Sequence, residues 1–103
     1  MNSLKSIHYF TVICNTKNKN SIIELLENHG ARGIEVIYGR GSAKKGVLAQ
    51  AFGFDTEEKK AIVLCFVSSE KANELMDILY NECNFKETNT GVAFSTEIEG
   101  LVF

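Results

Sequence analysis

The sequence predicts an α+β sandwich in which two helices cover one face of a four-stranded antiparallel sheet, in the order β-α-β-β-α-β. Two observations predict this fold class. Four short runs rich in β-branched and aromatic residues are interleaved with two segments whose apolar residues recur at helical spacing. In addition, 103 residues with 45% apolar side chains suit one domain, so we expect a single domain covering residues 1–103.

The four predicted strands are residues 7–14, 33–38, 61–67 and about 92–98. The first has the β-branched and aromatic composition of a buried strand. The third is apolar at successive positions, which indicates that both of its faces are covered and that it lies in the centre of the sheet.

The first helix is predicted between the first two strands. Ser21 and Glu24 have the spacing of a capping box at its start, and Thr16 or Asn18 would begin the helix one turn earlier. Gly30 follows the apolar segment and is the residue expected to end the helix in a left-handed conformation.

The second helix is predicted after Ser68 and Ser69, either of which is a suitable N-cap. Its apolar residues occur at offsets 0, 3, 4, 7 and 11, which place them on one helical face. These residues are Ala72, Leu75, Met76, Leu79 and Cys83.

Two helices on one face of a sheet with this strand order define the ferredoxin-like βαββαβ sandwich. The connection between the second and third strands, residues 39–60, has no helical or strand periodicity. Such a long loop is uncommon in a compact domain and is usually functional. A simple hairpin extension without a function is the alternative.

The charge distribution excludes some functions. Residues 1–45 carry seven basic and three acidic side chains, and residues 46–103 carry four and ten, for a net charge of −2. This balance argues against a nucleic-acid binder, which needs surplus lysine and arginine. No apolar run approaches the roughly 20 residues of a membrane helix, so we expect no direct membrane insertion.

Cysteine usage predicts a reducing, cytoplasmic location. Cys14, Cys65 and Cys83 are an odd number of widely spaced thiols, and the first two lie within apolar runs. Buried thiols are therefore expected, with a metal site or a disulfide as the alternatives. No nucleophile motif or compact set of metal ligands is present, so we predict neither an enzyme nor a metal site, and no required cofactor.

The start of the long loop combines glycines with cations. Gly39, Gly41 and Gly46 give the backbone freedom to approach an anion, and Arg40, Lys44 and Lys45 supply positive charge. This composition predicts a phosphate-binding loop or, alternatively, a flexible solvated turn, because the glycine spacing fits neither a P-loop nor a dinucleotide fingerprint.

The middle of the loop carries two aromatic residues. Phe52 and Phe54 flank Gly53 in an apolar stretch that an acidic segment follows. They are candidate anchors for a partner protein. The alternative is that they fold back onto their own domain or pack within an oligomer.

The chain resembles the PII-like family of nitrogen-regulatory signalling proteins over nearly its whole length. The resemblance depends on the element order, on Gly30 and Gly33 before the second strand, on residues 39–42 (Gly-Arg-Gly-Ser) at the start of the long loop, and on residues 90–95 (Thr-Gly-Val-Ala-Phe-Ser) at the start of the fourth strand. It implies a homotrimeric signal-transduction protein with three sheets facing inward and clefts between subunits that bind adenine nucleotides.

The resemblance also implies the roles of several segments. Residues 39–60 correspond to the T-loop, which regulates a partner such as a membrane transporter or an enzyme, and residues 89–91 correspond to the facing B-loop, which wraps phosphate. The ligand-binding residues implied by the resemblance and by the composition of the loop are Gly39, Arg40, Gly41, Ser42, Lys44, Lys45, Asn89, Thr90 and Gly91.

Some positions differ from the PII pattern. Val92 stands where PII proteins have a phosphate-binding lysine, and Glu97 and Glu99 stand where a basic pair is usual. A less charged effector, such as AMP, ADP, a cyclic nucleotide or another small anion, is therefore expected as readily as ATP. Two alternatives stay open: a CutA-like trimer that binds divalent cations through Cys14, His8, Glu35 and the acidic segment 55–58, and an interaction module with no small ligand.

Overall fold

The computed structural model describes residues 7–40, 59–87 and 90–100. These residues form one four-stranded sheet and two α-helices. In chain order the elements are β1 (Ile7–Asn15), a 3₁₀ turn (Thr16–Asn18), α1 (Lys19–Asn28), β2 (Arg32–Arg40), β3 (Lys59–Ser68), α2 (Ser69–Asn81) and β4 (Gly91–Glu97).

The sheet has the strand order β2-β3-β1-β4 with every neighbouring pair antiparallel. β1 and β3 are central, and their register extends from Ile7 opposite Ser68 to Asn15 opposite Lys60. β2 and β4 form the two edges. The predicted ferredoxin-like βαββαβ topology and the central position of the third strand are therefore confirmed.

The hydrophobic core lies between the sheet and the two helices. Alternate residues of β1 and β3 enter it, including Phe10, Val12, Val63 and Cys65, because side chains alternate between the faces of a strand. The helices contribute five buried side chains, as helical periodicity predicts: Ile22, Leu26, Ala72, Leu75 and Leu79.

The start of α1 differs from the capping-box prediction. The helix begins at Lys19, directly after the 3₁₀ turn, so Ser21 lies within its first turn and does not cap it. The N-cap is Asn18, whose side chain makes no capping hydrogen bond. The earlier of the two predicted starts is therefore correct. Gly30 has φ +80°, as predicted for a residue that ends this helix.

The long loop is shorter at both ends than the sequence predicts. Gly39 and Arg40 belong to β2, where they pair with Lys60 and Lys59 of β3. The prediction placed all four residues in the loop because glycine and lysine disfavour strands locally. Pairing with a distant strand overrides that local preference.

The face of the sheet that the helices leave uncovered is apolar and partly exposed. Tyr9 and Phe66 pair on it with ring centroids 5.2 Å apart. Ile37 on β2 is 52% exposed and Phe94 on β4 is 45% exposed. We call this surface the open face; the register of the sheet adds Ile62, Leu64 and Val92 to it.

Candidate functional site

The predicted ligand-binding residues within the described ranges lie at one end of the sheet. Gly39 and Arg40 end β2, Gly91 begins β4, and Thr90 precedes it in a turn. The other predicted ligand-binding residues, Gly41, Ser42, Lys44, Lys45 and Asn89, lie outside the described residues, as do the candidate partner anchors Phe52 and Phe54.

Within one chain these two groups do not meet. Gly39 lies on the edge strand β2 and Gly91 on the opposite edge strand β4, with β3 and β1 between them. Three inter-strand spacings separate the edges, which corresponds to about 14 Å. A cleft that uses both groups on one small phosphate therefore requires a second copy of the chain.

Gly91 has a packing constraint that no sequence pattern indicated. A β-carbon at this position would overlap the ring of Phe85, which packs against the core. The chain brings Phe85 there through Asn84, which has a positive φ of 64°. The glycine is therefore required by this close approach, independently of any ligand.

Basic side chains gather at the same end of the sheet, beside the 3₁₀ turn. Lys17 lies in the turn and Lys59 and Lys60 begin β3. Lys60 is only 5% exposed, and its Nζ donates a hydrogen bond to Asn15 Oδ1 at 2.7 Å. The sequence did not indicate these residues as a site, because the turn and β3 are adjacent only through the pairing of β1 with β3.

Two neighbouring pockets open beside this cluster. One has a volume of about 400 Å³ and is lined by Thr16, Tyr38, Gly39, Lys59 and Lys60. The other has a volume of about 260 Å³ and shares Thr16 and Lys59 with the first, and Asn15 and Lys17 complete it. We call the two together the turn pocket.

One buried hydroxyl, that of Thr16, belongs to a residue that lines the turn pocket. Its Oγ1 atom is buried and has no hydrogen-bond partner among the residues that the structure describes. An unmade hydrogen bond at a buried polar group costs about 1–3 kcal/mol.

Lys19 connects α1 to the end of β2. Its Nζ donates to Tyr38 Oη at 2.7 Å and lies 5.2 Å from the centre of the tyrosine ring. Tyr38 directly precedes Gly39, so this contact joins the first turn of α1 to the strand that leads into residues 41–58.

A further pocket of about 540 Å³ lies between α2 and the edge strand β4. Met76, Leu79, Phe85 and Val92 give it apolar walls, and Asp77 lies at its border. Tyr80 also lines it, and so does Gly91, one of the predicted ligand-binding residues.

Cys14 and Cys65 are buried and Cys83 is partly buried, and the thiols are protonated at neutral pH. Burial raises the pKa of Cys14 to about 11, against a smaller lowering by the charge of Lys60, and burial raises the pKa of Cys65 to about 11. The pKa of Cys83 is also raised, by burial and by the nearby Glu82 carboxylate. These thiols are poor nucleophiles and poor metal ligands.

Within residues 7–40, 59–87 and 90–100, no three His, Cys, Asp or Glu side chains are grouped as a metal site would require. His8 and Cys14, proposed for the CutA-like alternative, lie six positions apart on β1, or about 20 Å. His8 instead forms a 3.2 Å hydrogen bond between its Nδ1 and Ser95 Oγ.

Across the same described ranges, no helix has the length and apolarity that a membrane crossing needs.

Comparisons with known proteins give similarities of fold. No protein-family model and no curated protein matches the sequence. Among solved structures, a PII-like signalling protein from Thermus thermophilus aligns with 87% of this chain and 84% of its own, at 20% identity and a TM-score of 0.65.

CPII from Thiomonas intermedia, a nitrogen regulatory PII-like protein, is also similar. Its apo form aligns with 89% of this chain and 88% of its own, at 21% identity and a TM-score of 0.68. Its structure with bound ADP, AMP and acetate aligns with 89% of this chain and 85% of its own, at 18% identity and the same TM-score of 0.68. The chain therefore has the fold of the PII-like signalling proteins.

Proposed function

We propose that this chain is a divergent member of the PII-like family: a cytoplasmic, non-enzymatic regulator that binds an adenine nucleotide between subunits of a homotrimer. The observation that supports this best is the position of the predicted ligand-binding residues. Gly39 and Arg40 lie at one edge of the sheet and Thr90 and Gly91 at the other, all at the same end.

This arrangement fits a cleft between copies. The β2 edge of one chain and the β4 edge of the next each carry half of the predicted set. Assembly would bring the halves together and give a nucleotide phosphate both backbone donors and positive charge. CPII, which has the same fold, has been solved with ADP and AMP bound.

The open face supports the assembly itself. It places several large apolar side chains on the side of the sheet that no helix of the described chain covers. An apolar surface of this kind is expected at an interface between subunits. Three such faces would turn inward in the proposed trimer.

The T-loop would carry the signal. Bound nucleotide would favour some loop conformations over others, and a partner such as a transporter or an enzyme would bind one of them through Phe52 and Phe54. The nucleotide needs only a difference in affinity between these conformations to act as a signal.

Isothermal titration calorimetry with AMP, ADP, ATP and cyclic AMP tests the proposed binding. We expect saturable binding of at least one nucleotide to the wild type. Replacing Arg40 and Lys44 with alanine should weaken that binding by about tenfold or more, through the loss of charged contacts to phosphate. Lys71→Gln removes one charge from α2, away from the proposed cleft, and is the control.

If no nucleotide binds to the wild type, the sensor proposal is wrong. An equal loss of affinity in the Lys71→Gln control would also contradict it, because the binding would then reflect net charge and not a site. A chain that assembles but binds none of the four nucleotides would instead fit the interaction module.

A further inference from the structure

We propose that adjacent copies of this chain interlock, with the ring of Tyr38 of one copy seated in the pocket between α2 and β4 of the next. Lys19 accompanies Tyr38 and Asp77 borders the pocket, so the contact joins opposite charges as well as apolar surfaces. The inference rests on the assembly in the proposed function and adds the contact that would fix its arrangement.

Tyr38 is an aromatic side chain that its own chain leaves exposed. It lies on the helix-covered side of the sheet, where it contacts Lys19 of α1, yet 58% of its surface is exposed. It belongs to β2, an edge strand with no neighbour on its outer side within the described chain. Tyrosine is enriched at protein interfaces because its ring buries apolar area while its hydroxyl finds a polar partner. Tyr38 is therefore a candidate for insertion into another copy.

The receiving pocket lies at the opposite edge of the sheet. Its volume is about 540 Å³, which leaves room for a phenol ring, and its walls are mainly apolar. Met76, Leu79 and Phe85 form part of these walls. Asp77 and Tyr80 also line it, and Tyr80 is itself 56% exposed. The pocket therefore offers an apolar interior with a carboxylate beside it.

Tyr38 and the pocket lie at the same level of the sheet. Tyr38 pairs with Ala61 of β3, which pairs in turn with Cys14 of β1. Cys14 also pairs with Gly91, which lines the pocket. Because β2 and β4 run in opposite directions, β2 of one copy can lie antiparallel to β4 of the next with this row aligned. The same alignment brings Gly39 of one copy towards Gly91 of the next, as the proposed cleft requires.

The charges at the two surfaces are complementary. Lys19 Nζ donates a hydrogen bond to Tyr38 Oη at 2.7 Å, and Lys19 forms no ion pair within the described residues. The Asp77 carboxylate likewise has no ion-pair partner within those residues. In the interlocked pair the Lys19 ammonium would approach Asp77 of the next copy. The Tyr38 hydroxyl accepts the bond from Lys19 and keeps its own proton, which it would donate to the same carboxylate.

The contact joins two different surfaces, an inserted ring and a pocket. Such a head-to-tail contact gives a closed ring when the rotation between copies closes, whereas a two-fold dimer uses the same surface on both copies. Tyr38 lies on one edge of the sheet and the pocket on the other, so each copy can insert into one neighbour and receive from another. The geometry therefore favours a ring, as the proposed trimer requires.

Size-exclusion chromatography with light scattering over a dilution series tests the contact, because it measures the concentration at which the assembly dissociates. Tyr38→Ser removes the ring and should raise that concentration about tenfold or more. Lys19→Glu and Asp77→Lys each place like charges at the contact and should each raise it about tenfold. The double variant Lys19→Glu/Asp77→Lys exchanges the two charges, so it should assemble within about threefold of the wild type.

Lys71→Glu is the control, since it reverses a charge on α2 outside the lining of the pocket, and it should assemble like the wild type. The proposal is overturned if Tyr38→Ser assembles as well as the wild type, or if the double variant assembles no better than the single ones. A loss in Lys71→Glu equal to that in Asp77→Lys would also overturn it. Each variant is first checked for a native circular dichroism spectrum. The charge exchange keeps the test valid if Tyr38→Ser fails to fold.

This contact and the proposed sensor function fail separately. A wild type that assembles through Tyr38 but binds no nucleotide would remove the sensor function and leave the contact in place. A wild type that binds nucleotide and assembles equally well without the Tyr38 ring would do the reverse. A wild type that stays a single chain at every concentration would contradict both the contact and the proposed trimer.

Discussion

Gly91 shows how a single position can be fixed by packing as well as by a ligand. The resemblance to PII-like proteins assigned it to a phosphate-binding turn, and the structure adds the ring of Phe85, which occupies the space of any side chain there. The sequence could not reveal this contact, because the position of the ring depends on the positive φ of Asn84. Gly39 differs, since no atom of the described residues lies within 4 Å of the β-carbon it lacks.

Gly91→Ala should therefore destabilise the fold, and Gly39→Ala should not. Overpacking against Phe85 is expected to lower the free energy of unfolding by about 1–3 kcal/mol. At Gly39, alanine is expected to be neutral or to stabilise by about 0.5 kcal/mol, because glycine is unfavourable within a strand. Urea denaturation measures both, and a Gly91→Ala variant as stable as Gly39→Ala would contradict the packing argument.

The buried thiols predict a stability that declines at alkaline pH. In the folded chain the pKa of Cys65 is about 11, raised from its usual 9.0 by burial. The folded state therefore holds this proton more tightly than the unfolded state, so the stabilisation is complete below pH 9 and is lost as the pH rises through 11. Between these pH values, the free energy of unfolding should fall more steeply with pH for the wild type than for Cys65→Ala. Equal slopes in the two proteins would refute the assignment.

At the scale of elements, local patterns predicted which segments form helices and strands but not where each one ends. The periodicity of α2 from Ala72 to Leu79 and its Ser68 cap are confirmed, since both depend on residues within a few positions of each other. Cys83, which was predicted on the same helical face, lies beyond the end of the helix at Asn81. The ends of β2 and β3 were missed because Gly39 and Arg40 become strand residues only through pairing with Lys60 and Lys59. Pairing between distant segments leaves no local signal.

The two helix starts predict different responses to serine replacement. Ser68 Oγ accepts a hydrogen bond from the Lys71 backbone N–H at 3.1 Å, so Ser68→Ala should cost about 1 kcal/mol of unfolding free energy. Ser21 lies inside α1 and is exposed, so Ser21→Ala should change stability by less than about 0.5 kcal/mol. Thermal denaturation measures the stability of both variants. A larger loss of stability in Ser21→Ala would indicate that Ser21 caps the helix, which the structure excludes.

The turn pocket is also a product of pairing between elements. Thr16 and Lys59 are far apart in the chain and come together because Asn15 pairs with Lys60 at the end of the β1–β3 register. The sequence predicted an anion site from the glycines and cations near residue 40. It did not indicate this pocket, because neither the Asn15–Lys17 segment nor the lysine pair forms a motif.

At the scale of the whole molecule, the open face is the feature that a single chain leaves unexplained. The helices bury one side of the sheet, whereas Ile37 and Phe94 remain about half exposed on the other. The resemblance implied a trimer, and the open face is the apolar surface that such an assembly would cover. The nucleotide proposal depends on this assembly, because its two halves lie on opposite edges of the sheet.

Phe94→Glu should therefore separate the subunits. A carboxylate in an apolar interface loses its hydration without gaining a partner, so assembly should weaken by about 100-fold or more. Ser21→Glu is the control, because Ser21 is exposed on α1, on the other side of the sheet. Light scattering after size exclusion measures both, and a Phe94→Glu variant with the mass of the wild-type assembly would place the interface elsewhere.

Native mass spectrometry of the freshly purified chain, with and without added ADP and AMP, tests the central claim most directly. We predict a mass of three chains that increases by up to three nucleotides. Free chains that retain no nucleotide would contradict both the assembly and the cleft between subunits.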